Sequence, residues 1–322
     1  MPFGGKFIAS GSFGCVFHPP LPCKENNIAY VDKSNIGKIF AYHTELQNEK
    51  RINNIVEIID PKHLFTRKLI GVCNVDDAKI AVSDKVHTCR HYKKGSQQLI
   101  FEDGGNDLTS IQDDQFTRLQ FLCILMPIMR GIIKMQKKGY VHFDIKPLNM
   151  LIDESVVLID FGSAVKYESI LSKDYEILEY PYRYYPIELR YTSLRQRNKR
   201  VDEAEMLDFF KTNFKRSEID NYFDPNDIEK KFHRFFSKMS KLNNREIVNL
   251  YESKLCKLFD SYSFALSVLE MFKRIKMERC AKSDACILIL QQMCDINPFE
   301  RISASTGYSK LKEKMKFYNK KG

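Results

Sequence analysis

Tyr140-Val141-His142-Phe143-Asp144-Ile145-Lys146-Pro147-Leu148-Asn149 is followed a short way downstream by Leu158-Ile159-Asp160-Phe161-Gly162. An aspartate, an asparagine after it and a second aspartate closing an apolar strand make a set of oxygen donors suited to phosphoryl transfer. That reaction needs one carboxylate to orient a hydroxyl, and further oxygen ligands to hold Mg²⁺ on nucleotide phosphates. Between the two stretches, Met150-Leu151-Ile152 and Val156-Val157-Leu158-Ile159 are short apolar runs separated by Asp153-Glu154-Ser155. The pattern predicts a tight hairpin of two buried strands, with Asn149 and Asp160 at the same end.

Upstream, Lys6-Phe7-Ile8-Ala9-Ser10-Gly11-Ser12-Phe13-Gly14-Cys15-Val16-Phe17 sets apolar residues on either side of a glycine-bearing turn and predicts strand–loop–strand. Backbone amides in such a loop can cover phosphates because glycine lacks the Cβ that would block close approach. A plain turn between strands reads the same way. Pro19-Pro20-Leu21-Pro22 predicts a connection, since proline cannot feed a sheet ladder. Ile36-Gly37-Lys38-Ile39-Phe40 reads as a short strand with Lys38 at its centre, a solvated residue or, behind a glycine loop, a phosphate ligand. Thr44 to Ile55 reads helical and offers Glu45 and Glu49 as partners for Lys38. Glu49 is preferred because Ile52 follows it towards a core; either acid could instead be a solvated helix charge. Strands are expected at Leu69–Val72, Ile80–Val82 and Gln98–Glu102, with a loop at Cys89–Ser96. Asp103-Gly104-Gly105-Asn106 is a cluster of breakers and marks the boundary between two lobes.

Downstream, Asp113 to Lys138 predicts a long amphipathic helix, capped by Asp113 or Asp114, kinked at Pro127 and ended by Gly139. The chain beyond Gly162 reads as irregular as far as Leu189. Helices are expected at Asp202–Asn213, Asp227–Met239 and, as one or two, Arg245–Phe272. Asn297-Pro298-Phe299-Glu300-Arg301 is a turn before a last helix, and the lysine-rich end reads as a frayed tail.

The totals bound these readings. A chain of 322 residues, 43% hydrophobic and 29% charged, is globular and long enough for one large domain or two smaller ones. A net charge of +10 permits acidic partners, nucleic acid or an anionic membrane, but lysines scattered over a solvated surface give the same total. Nine cysteines, with no C-x-x-C pair and no His-rich cluster, argue against a zinc site and a secreted disulfide framework, and for a reducing compartment. With no visible signal peptide and no apolar run long enough to span a bilayer, an intracellular, cytoplasmic chain is expected.

Taken in order, these pieces resemble the eukaryotic-type serine/threonine protein kinases across nearly the whole chain. The resemblance implies an α+β bilobal fold, with a small β-rich N-lobe at 1–104 and a larger, mostly helical C-lobe at 105–322. It implies ATP and Mg²⁺ as cofactors and a protein carrying Ser or Thr as substrate. Ala9, Ser10, Gly11, Ser12, Phe13, Gly14 and Val16 resemble the glycine-rich loop. Lys38 resembles the strand lysine on the phosphates, Glu49 its helix partner, and Glu102 and Gly104 the hinge backbone that meets adenine. Asp144 matches the catalytic-loop aspartate, Lys146 the lysine that steadies the γ-phosphate, and Asn149 and Asp160 the metal ligands. Lys146 is also the serine/threonine mark. Pro186-Ile187-Glu188 resembles the close of the activation loop, Asp260 the brace of the catalytic-loop backbone, and Arg301 the partner of Glu188.

Four departures qualify the resemblance. Ala9 stands where a loop glycine usually lies, and a positive φ there would strain it by about 1 kcal/mol. Phe143 replaces the arginine that reads an activation-loop phosphate in relatives, which implies activity that is constitutive or controlled by another protein. Between Glu188 and Asp260 lies a helical insertion, about 192–255, expected either to dock a substrate or partner or to stabilise the lobe. The compact start and trimmed C-lobe resemble the divergent kinases of large DNA viruses, which would place the protein in a host cytoplasm or a virion. A pseudokinase scaffold is the alternative; a small-molecule phosphotransferase fits less well, because Glu188 and Arg301 argue against it. No nucleic acid partner is expected.

Overall fold

The computed structural model describes residues 5–11, 14–25, 32–80, 85–172, 182–216 and 220–315. Ser12, Phe13, Ala81-Val82, Tyr180-Pro181 and the lysine-rich end beyond 315 lie outside the described residues. The chain divides into two compact units, Met1–Gly105 with Val157–Gly162, and Asn106–Val156 with Ser163–Gly322. The first is rich in strand and the second mostly helical, the bilobal arrangement of a protein-kinase-like fold.

The first unit is built on one antiparallel sheet. Its strands are β1 (Lys6–Ser10), β2 (Gly14–His18), β3 (Asn35–Phe40), β4 (Leu69–Asn74) and β5 (Gln97–Glu102), in the order β1-β2-β3-β5-β4. Glycine closes the first turn, where the Gly11 amide donates to the Gly14 carbonyl at 2.8 Å. Gly14 is required by close approach, since a Cβ there would stand 2.0 Å from the Ile39 carbonyl oxygen. Ala9 pairs with Val16 beyond a bulge and keeps a negative φ, so the strain anticipated at that position is absent. Helix α1 (His43–Ile59) buries Leu46, Glu49, Ile52, Asn53, Val56 and Ile59, the single face that helical spacing dictates. Ile80 does not begin a strand, because Asp77–Lys79 forms a short 3₁₀ turn instead.

The cysteine reading needs correcting in this unit. Cys15 is bonded to Cys89 and Cys23 to Cys73, across 74 and 50 residues, while the other five cysteines are free. Cys15 and Cys73 lie on β2 and β4, and their partners come from the connections. Tertiary folding creates such pairs, and local spacing does not reveal them. The cysteine argument for a reducing compartment therefore falls.

In the second unit β6 (Asn106–Asp107) leads to α2 (Arg118–Lys137), which starts later than its acidic flank suggests. Thr117 caps it: its hydroxyl accepts from the Gln120 amide at 3.2 Å, and the Gln120 side chain accepts from the Thr117 amide at 2.8 Å. Asp113 is used elsewhere, accepting from the Lys276 amide at 2.9 Å. The helix passes through Pro127 without interruption, and Gly139, at φ +79°, lies just past its end. Among the described residues α2 is the one helix long and apolar enough to cross a membrane, but half of that window is buried inside the protein. Leu119, Phe121, Leu122, Leu125, Ile128 and Met129 belong to the core.

Strands β7 (Tyr140–Val141), β8 (Met150–Ile152) and β10 (Val165–Lys166) follow, with β6 pairing β8 and β7 pairing β10, while β9 (Val156–Leu158) leads into the segment that belongs to the first unit. Then come α3 (Ile187–Gln196), α4 (Glu203–Arg216), α5 (Pro225–Ser240), α6 (Asn244–Ser253), α7 (Phe259–Arg274), α8 (Ala281–Met293) and α9 (Ala304–Met315). Every residue of α7 from Phe259 to Phe272 is buried, which makes it the central helix of this unit. Helices α4 to α6 form the insertion. Met206, Phe210, Phe232, Phe235, Met239, Ile247 and Tyr251 from it share one core with Val141, Phe143, Ile187, Tyr191 and Phe259.

Candidate active site

In the first unit, alternation along β3 leaves Lys38 half-buried on the sheet, opposite Val16 and Leu99. Its ammonium lies 2.7 Å from Glu49 Oε2 and 2.9 Å from Asp160 Oδ1. Glu45 faces away, where its side chain accepts from the Tyr42 amide at 3.3 Å and caps α1. Burial alone would lower the Lys38 pKa, but Asp160 and Glu49 together outweigh it and hold the ammonium well above the usual lysine range. Asp160 sits at φ +62°, a conformation uncommon for a residue with a side chain. Behind it Gly162 packs on the acid of α1: a Cβ there would stand 3.1 Å from Glu49 Oε2, and Asn48 donates to the Gly162 carbonyl at 2.9 Å. Ala9, Ser10 and Val16 lie in β1 and β2 with Gly11 in the turn between them. Glu102 ends β5 with its amide donating to the Lys68 carbonyl at 3.1 Å, and Gly104 is buried just beyond.

In the second unit the side chains converge on Asp144. Lys146 Nζ lies 2.8 Å from its Oδ2, and Asn149 Nδ2 donates to Oδ2 at 2.9 Å and to the Asp144 carbonyl at 2.8 Å. With its amide nitrogen so occupied, the atom Asn149 can offer a metal is Oδ1. An amide oxygen and the Asp160 carboxylate are hard oxygen donors, the kind Mg²⁺ requires. Asp260 holds the loop from below, accepting from the His142 amide at 2.8 Å and the Phe143 amide at 3.2 Å. Glu188 and Arg301 form a fully buried two-pronged pair, at 2.5 Å and 3.1 Å.

One contact was not read from the sequence. The Tyr182 hydroxyl donates to Asp144 Oδ1 at 2.8 Å. Its signal was hidden in the run Tyr180-Pro181-Tyr182-Arg183-Tyr184-Tyr185, where nothing in the spacing singles out one phenol.

A lysine held by two carboxylates, and an aspartate held by a lysine and an asparagine, on a β-rich unit and a helical one, define a protein-kinase-like class. Comparison with known proteins agrees. The citron rho-interacting kinase of Rattus norvegicus is 37% identical over 82 residues, 24% of this chain and 4% of that protein. The MAP kinase kinase kinase SSK2 of Saccharomyces cerevisiae is 27% identical over 170 residues, 50% of this chain and 9% of that protein. The chain thus spans at most 9% of the length of these relatives. No family model matches it. These similarities support membership of the protein-kinase superfamily and a protein-kinase-like function in general.

Proposed function

We propose that the protein transfers the γ-phosphoryl group of ATP to a serine or threonine hydroxyl of a protein substrate. The observation that carries this reading is Asp144, a carboxylate whose Oδ2 is engaged by Lys146 and Asn149, which leaves Oδ1 to receive a hydroxyl proton. The loose transition state leaves little covalent work for a protein, so catalysis comes from position and charge. Lys38, kept cationic by Glu49 and Asp160, would bind the α- and β-phosphates. Lys146 would steady the γ-phosphate as the acceptor oxygen forms its bond to phosphorus, the bond to ADP breaks and Asp144 takes the proton. Mg²⁺, held by Asp160 and Asn149, would offset the phosphate charge.

The test is ATP-dependent phosphate incorporation into a basic and an acidic protein, comparing wild type with Asp160→Asn. Incorporation on serine or threonine should fall ~100-fold or more in the variant. Folded wild-type protein that neither binds ATP nor transfers phosphate to either substrate would favour a scaffold instead, whereas binding without transfer would point to a missing activator or substrate.

A further inference from the structure

Tyr182 is not on the surface waiting for a partner. Its ring lies 4.8 Å from Tyr185 and 5.3 Å from Tyr184, both edge-on. Tyr185 lies 4.9 Å from Phe143, which stacks on Phe259 of α7 at 4.7 Å and 13°. Tyr184 is fixed to the same helix: its hydroxyl donates to Glu270 at 2.5 Å, and its carbonyl accepts from Ser263 at 2.8 Å. Arg183 adds an ion pair to Glu270 at 2.6 Å. The run Tyr182–Tyr185 is thereby bolted to the central helix and to Phe143, the residue directly before Asp144.

At the end of this aromatic column the Tyr182 phenol meets the Asp144 carboxylate. Burial, then the Asp144 charge, holds that phenol protonated far above its usual range, so it acts as a donor. An ionised carboxylate has about four acceptor positions. Among the described residues three are filled, two on Oδ2 by Lys146 and Asn149 and one on Oδ1 by Tyr182. By this count one acceptor position on Oδ1 remains for an incoming hydroxyl.

We propose that Tyr182 is a positioning residue for phosphoryl transfer, its phenol fixing the Asp144 carboxylate in the orientation that leaves one Oδ1 lone pair for the acceptor hydroxyl. The proposal rests on the kinase reading above. Lys146 and Asn149 both pull on Oδ2, and Tyr182 alone among the described side chains balances them on Oδ1. Without it the carboxylate can turn about its last bond and lose the aligned lone pair.

The experiment is steady-state phosphotransfer by the full chain, wild type against Tyr182→Phe, with thermal unfolding of both. Phenylalanine keeps the ring and its contacts, so the melting temperature should stay within about 2 °C. Loss of one hydrogen bond to a charged group should cut kcat by ~10-fold while leaving KM for ATP within about two-fold. A loss confined to KM, or unchanged kinetics, overturns the proposal. A rise in kcat overturns it as well, and makes the phenol a plug. Absence of transfer by wild type overturns the kinase reading and this inference together, whereas transfer with an indifferent Tyr182→Phe overturns this inference alone.

Discussion

Asp260 is wholly buried, yet its two oxygens are spent on the amides of His142 and Phe143. Those bonds hold Phe143 at φ +72°, which costs on the order of 1–2 kcal/mol for a residue with a side chain. Burial pushes the Asp260 carboxyl up to about 6, against the downward pull of both amides. An acid whose folded pKa is raised binds its proton more tightly when folded, so its contribution to stability falls as pH climbs from about 4 to about 6. Asp260→Asn removes that titration. Urea unfolding should therefore show the variant faring better relative to wild type at pH 7 than at pH 4, by up to about 3 kcal/mol. A difference that does not change with pH would refute the assignment. Residues of this kind divide by what reveals them. Asp260 could be read from its resemblance, whereas for Lys38 the sequence preferred Glu49 but left Glu45 open, because the two stand one helical turn apart. The cap at Tyr42 separates them by taking Glu45.

At the scale of elements, periodicity marked β1 to β5 and most helices but missed α8 and α3, the latter beginning inside a stretch read as irregular, and a cap was misread where side chains had a competing task. Asp113 and Asp114 look like caps, but Asp113 is engaged with the backbone of Lys276, and Thr117 with Gln120 starts α2 instead. The two disulfides were invisible because they join residues 74 and 50 apart. Closing loops of that length removes unfolded-chain entropy worth about 4 kcal/mol each in the chain-entropy model, with about 2–4 kcal/mol typical in practice. Alkylation and mass spectrometry should find five reactive thiols in the denatured, unreduced protein and nine after reduction. Nine without reduction would exclude both bonds. The insertion is likewise more than an appendage. Phe235 of α5 is fully buried and lies edge-on to Tyr191 at 5.7 Å. Phe235→Ala should cost about 3–5 kcal/mol of stability by urea unfolding. A cost under about 1 kcal/mol would show the insertion to be peripheral. Because these helices share the core of Phe143, any docking role is better sought with surface substitutions than by deletion.

At the scale of the whole molecule, a strand-rich first part and a helical second part were legible because the pattern changes period near the breakers at Asp103–Asn106, but that Val157–Gly162 packs with the first unit was not. Less legible was how the loop that carries Asp144 is supported. Phe143 occupies the place where the resembling family carries a phosphate-reading arginine, and a phenylalanine has no charge to offer a phosphate. Here it is buried, stacked on Phe259 and packed under Tyr185. The described stretch from Tyr182 to Glu188 is held by Glu270, Ser263 and Arg301, all of them unmodified protein groups. Order that rests on aromatic packing and buried ion pairs does not require an added phosphate to form. If the proposed phosphotransfer holds, protein treated with a broad phosphatase, then freed of it, should therefore keep its transfer rate within about two-fold of the untreated protein. Phosphopeptide mapping of both samples makes the result decisive. A fall of ~10-fold or more that tracks loss of phosphate between residues 163 and 186 would mean that a modified side chain completes the site, and that the aromatic support is insufficient without it.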